Sequence, residues 1–246
     1  MYRPLLSLLC LLAVLPVRAQ LPDLDSLVKS GLNQLKAQPA AKGKAGTDDK
    51  TSIAGIKEAL AVGTRNAVKS LSRDGGYLNN ETVRILMPEK VRKVADFAAK
   101  AGMQKQVDEF VVSMNRAAEA AVPVAADYFS DAIRDMSVDD ARGILTGGNT
   151  AATEFFKSKT HDKLYTALKP IVARKVGEVG STKAYKDLLG KVQNIPFLGG
   201  QSLDLEDYVT NQALDGLFQL VGEEEKKIRS NPAARVTDLL KSVFGK

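Results

Sequence analysis

Apolar residues recur at helical spacing along most of this chain of 246 residues. Ile53, Ile56 and Leu60 begin one such stripe, and a spacing of three to four residues places them on one face of a helix. A single run, residues 83–86, has the character of a strand, and one short strand cannot form a sheet. The sequence therefore predicts an all-α fold, a single bundle-like domain of about eight to ten helices.

Capping residues, glycines and prolines predict where these helices begin and end. Pro123 is expected to kink a helix or to start a new one, because proline is tolerated in a first turn. Ser137 is expected to cap the helix that follows it. The predicted helices are 51–73, 89–101, 104–122, 125–135, 138–145, 151–158, one that starts near His161, one over 181–192, then 204–230 and 233–244.

The N-terminal residues 1–19 have the pattern of a secretory signal peptide. Arg3 gives a short positive start, residues 5–15 are apolar, and Val17 and Ala19 are the small residues that precede a cleavage site. The apolar run is too short for a transmembrane helix. We therefore expect cleavage after Ala19 and a periplasmic or secreted protein. A lipid anchor on Cys10 is the disfavoured alternative, because Leu9 stands where lipoprotein processing needs a small residue.

Removal of this segment would leave a chain without cysteine, because Cys10 is the only one. Such a protein forms no disulfide and has no thiolate that could bind a metal or act as a nucleophile. Its formal charge of +6 would fall by two, to +4, with the loss of Arg3 and Arg18. That charge does not indicate a nucleic-acid-binding protein. No later run has transmembrane length, so no membrane anchor is expected in the mature chain.

The rest of the chain is expected to fall into three parts. Residues 20–36 have the spacing of a short amphipathic helix. Residues 37–50 have the Ala, Gly, Lys, Pro and Asp content of a flexible linker. Residues 51–246 form the predicted all-α domain.

Most catalytic and metal-binding chemistries lack the residues that they need. His161 is the only histidine, and it is expected to be a surface residue at a helix start, with Asp162 beside it in sequence rather than across a site. One histidine without cysteine does not suit a zinc or iron site. We therefore expect no metal and no cofactor, and we assign no catalytic residue. The sequence favours a protein that is not an enzyme without deciding the matter.

The least ordinary residues lie between positions 113 and 160. An alanine-rich helix carries Asn115, Arg116 and Glu119, and a turn precedes the next helix. Backbone N–H groups at the start of a helix can bind an anion. Together they predict a site for a small anionic ligand, although the turn also suits simple helix capping. The residues of this turn are Thr146, Gly147, Gly148, Asn149 and Thr150.

Glu225 falls within an apolar helical stripe, so its carboxylate is expected to be buried and to need a cationic partner. Arg116 is the predicted partner. Two other functions stay open at this point. One is a hydrolase-type enzyme with Glu119 or Glu225 as general acid or base. The other is a protein-interaction module that binds an envelope protein through the apolar residues 195–198.

Several segments resemble the bacterial domain of unknown function 4197. They are SMNRAAEAAVP (113–123), ILTGGNTAATEFF (144–156), residues 207–232, LLKSVFG (239–245) and GIKEALAVGTRNAV (55–68). The resemblance covers essentially residues 51–245. It implies a mostly helical, secreted or envelope-associated bacterial protein with no established activity. We therefore expect a binding or structural role in the cell envelope.

Overall fold

A computed structural model describes residues 46–178, 204–231 and 233 of the chain. Several sequence predictions fall outside these residues. They are the signal peptide 1–19, the helix in 20–36, residues 37–45 of the linker, the helix 181–192, the apolar residues 195–198 and the last predicted helix after Ala233.

All regular structure in the described residues is helical, which confirms the all-α prediction. We name the helices α1 to α7 in chain order. They are α1 (Gly46–Ser72), α2 (Glu89–Ala98), α3 (Gln104–Ala121), α4 (Ala125–Arg134), α5 (Val138–Thr146), α6 (Ala151–Glu178) and α7 (Leu205–Ser230). A π-helical turn, Ala99–Met103, joins α2 to α3, and a 3₁₀ turn, Val122–Val124, joins α3 to α4. None of the described helices is long and apolar enough to cross a membrane.

Helix α1 is described from Gly46, five residues before the predicted start at Thr51. The linker prediction is therefore wrong for residues 46–50, which are helical. Composition suggested a linker because this stretch has no large apolar side chain, yet small and charged residues are also accepted in the first turns of a helix. The helix ends at Ser72, just before the Asp74-Gly75-Gly76 turn, as predicted.

Helix α6 runs without a break from Ala151 to Glu178, although two helices were predicted there. Phe156, Thr160 and Leu164 are buried at four-residue spacing, so the core-facing stripe continues across the polar stretch that suggested a break. The Thr160 hydroxyl donates to the Phe156 carbonyl at 2.7 Å, which satisfies it inside the helix. His161 therefore lies within α6 and is half-buried, with its ring stacked 6.2 Å from that of Phe218.

The core is formed mainly by α1, α3, α6 and α7, with α6 against α7 as its most extensive contact. Phe129, Phe156 and Phe218 pack edge to face at its centre, with ring centroids 5.0 and 6.2 Å apart. Burying large aromatic side chains supplies much of the hydrophobic stabilisation of a core with no tryptophan.

Helix α3 is bounded by irregular turns at both ends. Gly102 in the π-helical turn has φ +86°, a conformation that glycine adopts without strain. At the other end, Pro123 occupies the first turn of the 3₁₀ segment that leads into α4. The proline therefore starts a new segment, one of the two outcomes predicted for it.

Candidate functional site

Asn115 on α3 holds the loop between α1 and α2. Its side chain is fully buried and pairs with both backbone groups of Ile85, accepting from the N–H and donating to the carbonyl, each at 2.8 Å. The amide also donates to the Val111 carbonyl at 2.8 Å. One side chain thus satisfies both backbone groups of Ile85, which burial would otherwise leave unpaired.

Glu119, one helical turn later, holds the other end of the same loop. Its Oε1 accepts hydrogen bonds from the backbone N–H groups of Tyr77 and Leu78 at 3.0 and 3.1 Å. The carboxylate is only 5% exposed, so it needs these donors and a cation to offset its lost hydration. The result is a loop fixed to α3 at two points.

Arg116 supplies that cation. Its Nη1 lies 2.7 Å from Oε2 of Glu119 and also contacts the carboxylate of Asp74, at the start of the loop. The hydrogen bond to Glu119 raises the pKa of the Arg116 guanidinium, and the charges of Glu119 and Asp74 add to that effect. Arg116 therefore stays charged and links the loop to the buried carboxylate.

The loop packs against α7 through Tyr77, whose side chain is fully buried and donates to the Ala213 carbonyl at 2.6 Å. Burial, with the nearby charge of Glu119, raises the pKa of the Tyr77 hydroxyl well above its usual value. Gly216 makes this approach possible. A Cβ there would lie 2.8 Å from Tyr77 Cε1 and 3.1 Å from Val83 Cβ.

The second predicted group, residues 146–150, forms the junction between α5 and α6. The Thr146 hydroxyl donates to the Arg142 carbonyl at 2.9 Å, and Gly147 ends α5. The Gly148 carbonyl accepts from Ala151 N–H at 3.2 Å. Asn149 and the other junction residues are exposed. At the start of α5, Ser137 forms the predicted cap, because its hydroxyl accepts from Asp140 N–H at 3.0 Å.

Glu225 on α7 occupies the N-terminus of α6. Its Oε1 accepts from Ala152 N–H at 3.0 Å, and its Oε2 accepts from the N–H and the hydroxyl of Thr153 at 2.9 and 2.8 Å. Arg229 completes the cluster, with Nε 3.0 Å from Oε1 and Nη2 2.7 Å from the Ile144 carbonyl. The anion expected at this helix start is therefore the protein's own carboxylate.

These contacts correct the predicted ion pair between Arg116 and Glu225. Glu225 is buried, as expected, but its cationic partner is Arg229 on the same helix, four residues on. Arg116 pairs with Glu119 and Asp74 instead. A partner one turn away costs less chain ordering than one on another helix, and the i, i+4 spacing brings the two side chains together.

Arg116 and the junction are also not brought together into one anion pocket. Arg116 contacts Asp74, just beyond the end of α1 at Ser72. Ala152, just after the junction, and Glu225 line a cavity of about 30 Å³ together with residues 56–64 of α1. The junction therefore lies near that part of α1. Eight residues of helix separate Thr64 from Ser72, which is about 12 Å along the axis. The cavity has room for only one or two water molecules.

A larger groove lies where α4, α5 and α6 meet. Its volume is about 260 Å³. Its walls combine aromatic, acidic and basic side chains, which is the mixture that fixes the orientation of a bound polar ligand. The residues that line it are Tyr128, Asp131, Ala132, Asp135, Asp140, Phe155, Lys159, Thr160 and Lys163.

Most charges in this groove have partners within the protein. Asp131 and Asp135 lie 2.8 and 3.1 Å from nitrogens of Arg134. Asp140 accepts from the Ser137 hydroxyl at 2.7 Å, which lowers the pKa of its carboxyl. Lys159 lies 3.9 Å from Asp140 and 5.7 Å from the centre of the Phe155 ring.

Lys163 differs from these neighbours because it forms no ion pair with any described residue. It lies one turn after Lys159 on α6 and is exposed. The groove therefore offers one cation without a counter-ion beside two aromatic walls, Tyr128 and Phe155.

A further polar cluster, which the sequence did not indicate, joins α6 to the start of α7. The Tyr165 hydroxyl donates to the Asp207 carboxylate, and Lys169 Nζ lies 3.0 Å from that hydroxyl and 3.4 Å from Asp204. The hydrogen bond to Tyr165, with the charge of Asp204, raises the pKa of Lys169. Asp204 caps α7 by accepting from Asp207 N–H at 2.9 Å. The cluster fixes α6 to the start of α7.

Comparison with known protein families identifies the chain's relatives. A family model described as "Protein of unknown function (DUF4197)" matches residues 46–245. The chain belongs to the DUF4197 family. No curated protein and no solved structure matches it.

The DUF4197 match spans all of the described helices. The segments that carried the resemblance have structural roles in this member of the family. SMNRAAEAAVP contains Asn115 and Glu119, which hold the loop, and residues 207–232 contain Gly216 and Glu225. Three residues that the sequence analysis singled out in these segments, Asn115, Glu119 and Glu225, thus position backbone.

Proposed function

We propose that this DUF4197 protein is an exported binding protein of the bacterial cell envelope, and that its ligand site is the groove between α4, α5 and α6. The observation that carries the proposal is the groove itself, at about 260 Å³ and with Lys163 beside two aromatic walls. That volume is slightly below the range of about 300–1,000 Å³ for sites that hold drug-sized ligands. The ligand is therefore a small molecule, or one end of a larger one, with an acidic group.

Export is supported by the sequence of residues 1–19, with cleavage after Ala19. Fractionation of the source bacterium, followed by mass spectrometry of the purified protein, tests this part. The expected result is a periplasmic or secreted protein whose first residue is Gln20. A cytoplasmic protein that retains Met1 would contradict export and leave the ligand site to be tested separately.

The anion-binding role proposed here is at a different place from the one that the sequence suggested. At the start of α6, Glu225 already accepts from the backbone N–H groups of Ala152 and Thr153. Asn115 and Glu119 are likewise engaged with the loop between α1 and α2. The groove differs because Lys163 has an exposed ammonium group that a ligand can reach.

Native mass spectrometry of the protein purified from its own envelope fraction tests the ligand site. We expect a retained small acidic molecule on the wild-type protein and on Lys157→Glu. Lys163→Glu is expected to lose it, because the reversed charge repels an acidic group. Lys157 is a suitable control, since it lies on the same helix and is exposed but does not line the groove. Retention by all three proteins, or by none, would contradict the proposal.

A further inference from the structure

Helix α2 carries the most exposed large apolar side chain of the described residues. Phe97 is 67% exposed. Leu86, three residues before α2, is 54% exposed. Among the described residues, only Val112 and Val138 are other large apolar side chains with comparable exposure. We call residues 84–105, which contain Leu86, Phe97, α2 and the π-helical turn, the α2 arm.

The α2 arm also carries much of the chain's positive charge. It holds six basic and two acidic residues, which gives a formal charge of +4 within a chain total of +6. The basic residues are Arg84, Lys90, Arg92, Lys93, Lys100 and Lys105, and the acidic residues are Glu89 and Asp96. The arm is about a tenth of the chain's length, so this charge is concentrated.

The exposed phenylalanine and two of the bases, Lys93 and Lys100, share one side of the arm. Lys93 and Lys100 are exposed and lie four residues before and three residues after Phe97, so all three point the same way. Arg92 is also exposed, and it forms an ion pair with Glu89 at 3.7 Å. The opposite face carries the buried Ala95 and Ala98. Basic side chains around an exposed aromatic ring are typical of helices that lie in a membrane interface.

The arm lies at the edge of the domain. Helix α2 packs on the π-helical turn and α3 through its inner face, where Ala95 joins the main core and Ala98 forms a small cluster with Met103 and Val107. Its outer face is therefore not needed to complete the core. We propose that this face docks on an anionic phospholipid surface, with Phe97 inserted among the lipids and the bases beside the phosphates.

A lipid surface explains these features better than a protein partner does. Protein interfaces are depleted in lysine at their centre and present a contiguous apolar patch. Here the aromatic ring is flanked by lysines, whose positive charge complements anionic headgroups and whose long stems reach them.

Flotation of the protein with phosphatidylglycerol-containing vesicles, compared with pure phosphatidylcholine vesicles, tests the proposal. We expect binding only to the anionic vesicles, and weaker binding at high salt. Lys93→Glu with Lys100→Glu is expected to weaken it by roughly thirtyfold or more, from the contribution of each base near a charged surface. Phe97→Ser is expected to weaken it by about tenfold, from lost apolar burial.

Two matched controls change the same chemistry elsewhere on the surface. Val138→Ser removes another exposed apolar side chain, and Lys157→Glu with Lys226→Glu reverses two exposed lysines outside the arm. Both are expected to bind like the wild type. All variants have the same N-terminal segment as the wild type, so any vesicle binding by residues outside the arm contributes equally to each protein. Circular dichroism checks that each variant is folded.

Three results would overturn the proposal. One is the absence of vesicle binding by the folded wild-type protein. Another is equal binding by the wild type and the arm variants. The third is a photo-crosslinker at position 97 that captures an acidic protein while vesicle binding is absent, which would assign the face to a protein partner. The retained-ligand measurement on Lys163→Glu tests the groove, and its outcome does not depend on any of these three results.

Discussion

Glu225 and Thr153, 72 residues apart in the chain, are joined by two hydrogen bonds: Oε2 of Glu225 accepts from the backbone N–H of Thr153 at 2.9 Å and from its hydroxyl at 2.8 Å. The bonds place a buried carboxylate against the positive end of the α6 dipole, where negative charge is stabilised. An acid near the end of α7 thus serves as the cap at the start of α6.

Glu225→Gln is expected to lower the free energy of unfolding by about 2–4 kcal/mol, measured by urea denaturation. The amide removes the buried negative charge that pairs with Arg229 and directs a donor at N–H groups that need an acceptor. Glu223, two residues earlier, is half-buried, and its side chain forms no hydrogen bond with described residues. Glu223→Gln should therefore change the free energy of unfolding by less than about 0.5 kcal/mol. Equal midpoints for the two variants would contradict the capping role.

Asn115→Ala is expected to release the far end of the loop. Ile85 would lose both of its backbone partners in a buried site, at a cost of about 1–3 kcal/mol. Hydrogen exchange should show faster exchange of the Ile85 amide than in the wild type. Asn79→Ala, an exposed asparagine of the same loop, is the control and should leave that amide protected. Equal protection in both variants would show that Asn115 does not hold the loop.

Gly63 and Gly216, on α1 and α7, are expected to respond oppositely to replacement by alanine. A Cβ at Gly63 would meet its nearest neighbour at 3.5 Å, an ordinary contact, so Gly63→Ala should raise the free energy of unfolding by about 0.5–1 kcal/mol. A Cβ at Gly216 would press on Tyr77, so Gly216→Ala should lower it by about 1–3 kcal/mol. Thermal unfolding of the two variants measures the contrast, and a shift of the same sign in both would refute it.

Ionisation of Tyr77 is expected to destabilise the fold at alkaline pH. Its folded pKa is raised by burial, so above about pH 10 the unfolded chain releases a proton that the folded chain retains. The contribution is fully present below that pH and is lost as pH rises, by up to about 1.4 kcal/mol per pH unit. Tyr77→Phe cannot ionise, so its stability should fall less steeply between pH 10 and 11, although it loses the hydrogen bond to Ala213. Parallel pH profiles for the two proteins would contradict this assignment.

The helices could be predicted largely from local signals. Ser137 caps α5, Gly102 separates α2 from α3, and Pro123 begins a 3₁₀ turn, all as glycine, proline and capping chemistry indicate. The break predicted near Thr160 was wrong for an equally local reason. A buried threonine can satisfy its hydroxyl on the preceding turn, so a polar residue on the core face need not end a helix.

The site was harder to predict because its pairs are distant in sequence. Glu119 and Tyr77 are 42 residues apart, and no spacing rule connects a helix to a loop on another element. The cationic partner of Glu225 could have been predicted, because Arg229 follows it at i, i+4, a spacing that brings two side chains together on one helix. The groove depends on the packing of three helices, which periodicity alone does not specify.

Asn115 and Glu119 lie one turn apart on α3, yet they hold opposite ends of the loop between α1 and α2. Any rotation or axial shift of α3 must therefore carry both ends of that loop with it. Gly102 and Pro123 provide the irregular joints at which such a movement would be taken up. The loop and α3 thus behave mechanically as one piece, and a displacement of either would be transmitted to the other.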